Sequence, residues 1–138
     1  MKFRLLVALS ILGFSANALS NEIDVNSARI SLKNYGLANC ISDQFKNKSD
    51  IKSDIGLAIG AYSAMGRGQH AISQDEDTLE VIHDPYAETE KFMTDAYAKA
   101  SSTSKQSGKN VVFYSCLEIY NSPAFEAFIK SQDAYISN

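Results

Sequence analysis

Residues 111–129 read VVFYSCLEIYNSPAFEAFI, and their spacing decides the fold class. Apolar residues fall at Val112, Phe113, Cys116, Leu117 and Tyr120, then at Ala124, Phe125, Phe128 and Ile129. Both sets follow the i, i+1, i+4, i+5 rhythm of a helix with one buried face. Between them Ser122 suits an N-cap and Pro123 the first helical position, where its missing N–H costs nothing. The stretch predicts two short helices, near 111–120 and 122–132, with a bend at Asn121-Ser122-Pro123. By itself it is core and corner, with no chemistry in it.

Working outward, the helical period continues. Residues 101–109, SSTSKQSGK, form the one clear polar loop. Before it, Asp84 and Pro85 start a helix near 84–100, with Tyr86, Thr89, Phe92, Met93, Ala96 and Tyr97 on its buried face. Ser49 or Asp50 caps another near 50–65, which repeats Ile51, Ile55, Ala58, Ile59 and Tyr62 and stops at Met65-Gly66-Arg67-Gly68. The first helix spans 27–45, with Ile30, Leu37, Ile41 and Phe45 on one face and Cys40 at its border. Residues 19–26 read as a polar, frayed lead-in. No segment alternates at period two for long enough to be a strand. The expectation is an all-α, compact single-domain helical bundle of about five helices. Tyr62 and Tyr120 are expected in its core with their hydroxyls hydrogen-bonded.

Residues 69–84, QHAISQDEDTLEVIHD, are acidic. Asp75, Glu76, Asp77, Glu80 and Asp84 offer oxygen atoms, but the central glycine and terminal glutamate of a calcium loop are missing. The segment reads as a solvated acidic loop or short helix. His70 and His83 fit no zinc spacing and read as surface histidines. The glycines at 66 and 68 follow no strand, so they do not form a phosphate-binding loop. No metal or cofactor is implied.

The beginning of the chain sets the compartment. Lys2 and Arg4 precede an apolar run from Leu5 to Phe14, and Ala16-Asn17-Ala18 supplies a small-x-small cleavage site. Residues 1–18 are therefore expected to be an export leader, and residues 19–138 the functional domain. Removing Lys2 and Arg4 from 13 basic residues leaves 11 against 16 acidic ones, a net charge of −5. That balance disfavours nucleic acid, which needs clustered Lys and Arg, and suits a basic protein partner. After leader removal no stretch is apolar enough for a membrane span. Cys40 and Cys116 are the two cysteines. In an oxidising compartment a disulfide is the default, with a pair of free buried thiols as the alternative.

Four pieces stand in order along the chain: Asn34-Tyr35-Gly36-Leu37-Ala38-Asn39-Cys40-Ile41, Gly60-Ala61-Tyr62-Ser63-Ala64-Met65-Gly66, Ser104-Lys105-Gln106-Ser107-Gly108, and Cys116-Leu117-Glu118-Ile119-Tyr120-Asn121-Ser122. Together they resemble the type VI secretion amidase immunity proteins of the fourth class. The segment between Met65 and Ser104 departs from that pattern in being longer and more acidic. The resemblance implies an all-α, disulfide-bonded, dimerising periplasmic protein that is not an enzyme. It also implies a partner, a cognate peptidoglycan amidase effector built like a papain-type cysteine peptidase.

Two other classes fit less well. A thiol hydrolase needs an activated cysteine beside a histidine, and a Cys40–Cys116 bridge removes it. A small helical periplasmic acid-stress chaperone would expose apolar surface as its carboxylates protonate, which dye binding between about pH 7 and pH 2 would show. For partner binding the expectation falls on Ser104, Lys105, Gln106, Ser107, Gly108 and Lys109. Loops held on a rigid scaffold carry binding disproportionately, and these side chains are mostly small enough to enter a cleft.

Overall fold

A single helix of 29 residues, α1 (Ala16–Gln44), is the axis on which the other elements pack in the computed structural model, which describes residues 16–137. It is about 43 Å long at 1.5 Å per residue. The helix is continuous through 19–26, which were expected to fray. Of the expected leader, only its last three residues lie within the described region, as the opening of α1.

Local chemistry sets the boundaries of the next elements. Ser49 accepts a hydrogen bond from the Lys52 amide (3.1 Å) and starts α2 (Asp50–Tyr62). Asp84 accepts from the Tyr86 and Ala87 amides and, with Pro85 in the first turn, starts α3 (Pro85–Lys99). Ser122 accepts from the Phe125 amide (3.1 Å) and starts α5 (Pro123–Ser131) directly after α4 (Val112–Tyr120). Each cap satisfies amides that have no partner inside the helix. A 3₁₀ turn, Asp133–Tyr135, follows α5.

The architecture is mostly helical but not all-α. Two short antiparallel strands, β1 (Ser73–Gln74) and β2 (Val81–His83), form a hairpin inside the acidic segment. Two or three residues are too few to show a period in the sequence, which is why the segment reads there as loop or helix.

The core lies where α1 crosses α3, α4 and α5. Leu32, Met93, Phe125, Ile129 and Cys116 are almost wholly inaccessible to solvent. The buried stripe of α1 is Ala28, Leu32, Gly36, Asn39 and Cys40. The stripe expected from large apolar residues was different: Ile30 and Phe45 are each 48% exposed. Gly36 explains the rotation. A Cβ there would sit 2.8 Å from Thr89 Cγ2, 3.1 Å from Phe125 Cζ and 3.2 Å from Met93 Cγ. The helix turns its smallest residue inward so that α3 and α5 can approach its backbone.

Cys40 and Cys116 form a disulfide with Cα atoms 5.9 Å apart, joining α1 to α4 across a 76-residue separation. In the chain-entropy model such a loop closure contributes roughly 4–5 kcal/mol. Two ion pairs link α1 to the C-terminal third. Arg29 forks onto Asp133, and Lys33 reaches Glu126 (3.0 Å) while lying 4.5 Å from the Tyr120 ring centre. The two tyrosines expected in the core differ. Tyr120 is half-buried and donates to Asn34 Oδ1 (3.2 Å). Tyr62 is also half-buried, but its hydroxyl has no partner among the described residues, because α2 contributes no fully buried residue. The tyrosine that is sealed in the core is Tyr86.

Two stability measurements test this account. Replacing Cys40 and Cys116 together with alanine should lower the melting temperature by about ten degrees or more. Gly36→Ala should destabilise by roughly 1–3 kcal/mol although alanine is the better helix former, because overpacking at the crossing exceeds the gain of about 1 kcal/mol in propensity. A stabilised Gly36→Ala protein would contradict the close crossing.

Candidate functional site

The polar segment between α3 and α4 is built as a closed turn. Thr103 and Asn110 form an antiparallel bridge at its base, reinforced by Thr103 Oγ1 donating to Asn110 Oδ1 (3.3 Å). The Ser104 amide donates to the Lys109 carbonyl (2.8 Å), and the Gly108 amide to the Ser104 carbonyl (2.9 Å). Ser104 Oγ also accepts from the amides of Gln106 and Ser107, both at 3.3 Å. Gly108 has φ +66°, the left-handed region that suits glycine, and a Cβ there would meet open space. Below the turn the Val111 amide donates to the Ser102 carbonyl (3.0 Å), and the Ser102 hydroxyl bonds that of buried Ser115 on α4.

The six residues expected to bind a partner are therefore brought together in one projecting turn. Ser104 is half-buried as its internal brace, while Lys105, Gln106, Ser107, Gly108 and Lys109 are exposed. Beside the turn stand exposed apolar side chains that sequence reasoning placed in the core or passed over. Phe113 is 59% and Tyr114 56% exposed, and Val111 is 42% exposed. The cue was present in the run VVFY: successive residues on a helix are rotated by about 100°, so one face cannot bury all four. Between α3 and α4, next to the turn, runs a groove of about 400 Å³ lined by Phe92, Ala96, Ser102, Tyr114, Glu118 and Ile119. This arrangement offers hydroxyls, an amide and two ammonium groups beside aromatic surface. It can bind, and neither cysteine is available as a thiol, because both are joined in the disulfide.

The acidic segment has a separate construction. Asp75 Oδ1 accepts from the amides of Asp77 (3.0 Å) and Thr78 (2.8 Å) and from the Thr78 hydroxyl (3.0 Å). Those bonds, Thr78 first, hold the Asp75 carboxyl below the usual carboxylate range. The base of the hairpin is fastened to the C-terminal segment. His83 stacks on Tyr135 with ring centres 3.9 Å apart and bonds Gln132 Oε1 (2.8 Å). His70 pairs with Ile136 in an antiparallel bridge, its amide accepted by the Tyr86 hydroxyl (3.3 Å), which donates in turn to the His70 carbonyl (3.1 Å).

The histidines are thus not surface residues. His70 is 2% exposed and His83 half-buried, because the chain end folds back over them. Neither ring nitrogen of His70 has a hydrogen-bond partner among the described residues. Burial pushes its pKa down, opposed by the Asp133 carboxylate. A histidine with a folded pKa below its unfolded one stabilises fully above the unfolded value, about 6.5. That contribution is lost as pH falls from there towards the folded value, since the unfolded chain takes up the proton first. The melting temperature should therefore drop between about pH 7.5 and pH 5, and His70→Gln should flatten the drop across that window. An unchanged profile in His70→Gln would remove His70 as its cause.

A disulfide-tied helical scaffold that displays closed loops is suited to binding. The comparisons agree with that class. The family described as type VI secretion system (T6SS) amidase immunity protein matches residues 30–129, well over half of the chain, and the chain belongs to that family. No curated protein and no solved structure gave a match.

Proposed function

We propose that this chain is a periplasmic immunity protein that binds and blocks a peptidoglycan-cleaving type VI amidase of the papain-like cysteine peptidase kind. The turn Ser104–Lys109 enters the active-site cleft of the toxin and excludes substrate. The observation that carries this is the self-bonded turn, exposed beside Phe113 and Tyr114 at the end of a rigid helix pair. Because its backbone is already closed by hydrogen bonds, docking orders little that was free, and less of the contact energy is spent on entropy. The small side chains Ser107 and Gly108 fit a narrow slot, Lys105 meets an acidic rim, and the two aromatics supply the apolar anchors typical of interface hot spots.

The leader 1–18 delivers the domain to the periplasm, where the toxin acts. No described helix is long and apolar enough to cross a membrane, and the acidic balance gives nucleic acid no footing. The domain forms a homodimer. The uncovered apolar residues of α2, Ile51 and Leu57, each 75% exposed, support that reading.

The test replaces Ser104–Lys109 by a glycine-serine linker of equal length. The variant should keep its helical circular dichroism and lose amidase inhibition by tenfold or more, about 1.4 kcal/mol. Inhibition retained within twofold would reduce the turn to a connector.

A further inference from the structure

The hairpin of β1 and β2 carries apolar side chains that fold stability does not use. Leu79 is 70%, Val81 56% and Ile82 67% exposed. Successive strand residues point to opposite faces. Exposure of both Val81 and Ile82 therefore means that the strand stands clear of the body on both sides. Single exposed apolar residues are ordinary. Three within four residues, on a ridge whose turn is fixed by Asp75, are a surface prepared for contact.

Leu79 adds a second observation. Its φ is +59°, and among the described residues it is the one non-glycine residue with positive φ. A branched side chain is rare in that region, where glycine or asparagine is the usual occupant. The hairpin thus holds a leucine at its tip at a conformational cost and gains no burial from it. Such strain concentrates at ligand-contacting segments.

Charge states what would cover the ridge. Residues 68–90 contain no Lys or Arg and seven carboxylates: Asp75, Glu76, Asp77, Glu80, Asp84, Glu88 and Glu90. The Glu76 and Asp77 carboxylates take no hydrogen bond among the described residues. An apolar ridge framed by free carboxylates complements an apolar depression rimmed by Lys and Arg.

We propose that the hairpin is a second docking arm for the amidase, seated on a basic-rimmed apolar patch outside the catalytic cleft. There it sets which toxin is recognised. This rests on the reading of the chain as an amidase immunity protein. The hairpin precedes α3 and the Ser104–Lys109 turn follows it, so the two lie at opposite ends of a helix about 22 Å long. An interface of standard size, about 800 Å² per partner, is roughly 30 Å across and spans both.

The experiment measures binding of the full domain to its cognate amidase, with the toxin's catalytic cysteine changed to alanine. It is run at low and at moderate salt. Leu79→Asn keeps a residue that tolerates positive φ and removes the apolar tip. It should leave the melting temperature unchanged or raised and weaken binding by about tenfold, chiefly through faster dissociation. Glu76→Lys with Asp77→Lys should slow association at low salt by about fivefold or more and flatten its salt dependence. Wild-type binding together with variants that all stay within twofold would overturn the docking arm and leave the proposed function standing. A change in self-association without a change in amidase affinity would also overturn it, assigning the ridge to a second copy of this chain. If the wild-type domain does not bind the amidase while remaining folded, the functional reading fails, and the docking arm falls with it.

Discussion

The covalent tie between Cys40 and Cys116 is the constraint on which the rest of the structure depends. It joins the C-terminal end of a 29-residue helix to a helix of only nine residues. Isolated helices that short are marginal in water, so α4 owes its form to what it is fastened to. Once α4 is pinned, the Ser122-Pro123 restart directs α5 back across α1, where Phe125 meets Gly36. The Phe125 ring lies 5.3 Å from Phe92 and 6.3 Å from Tyr120, and so brings α3 and α4 into the same cluster. One bridge and one glycine crossing thereby place four helices.

That rigidity gives both projecting segments a fixed root. Neither the Ser104–Lys109 turn nor the hairpin contributes a residue to the buried apolar core. Each is closed by its own bonds, through Ser104 in one and Asp75 in the other. Each is rooted in something fixed. The turn stands on Ser102 and buried Ser115, and the hairpin on the stack of His83 with Tyr135. Preorganised loops on an inflexible frame spend little of their contact energy on ordering.

How much of this was legible in the sequence depended on how local its cause was. The caps Ser49, Asp84-Pro85 and Ser122-Pro123 act within three residues, and the starts of α2, α3 and α5 follow from them. The polar turn was legible for the same reason. The buried face of α1 was not, because its crossing is made by a glycine, and a count of large apolar residues points instead to Ile30 and Phe45. The hairpin escaped because its strands are shorter than their own period and a side-chain turn holds them. His70 escaped because its cover is Ile136, 66 positions away. Phe113 escaped because a run of four apolar residues does not say which of them face outward.

The arrangement of charge follows from the same frame. At one end of α3 the segment 68–90 has carboxylates and no cations, while at the other the exposed turn carries Lys105 and Lys109. Asp84 and Glu88 sit at the positive end of the α3 dipole and Lys99 at its negative end, so the helix favours this distribution. The domain therefore presents an acidic pole and a basic one, a helix length apart. A partner with complementary poles would be turned into register while still in diffusional encounter, before any contact forms. A partner with one sign of charge would be drawn to one end and repelled from the other. Discrimination of this kind needs no buried ion pair, whose desolvation would offset its attraction. It needs only that the two poles stay at a fixed distance, which the disulfide-tied frame ensures.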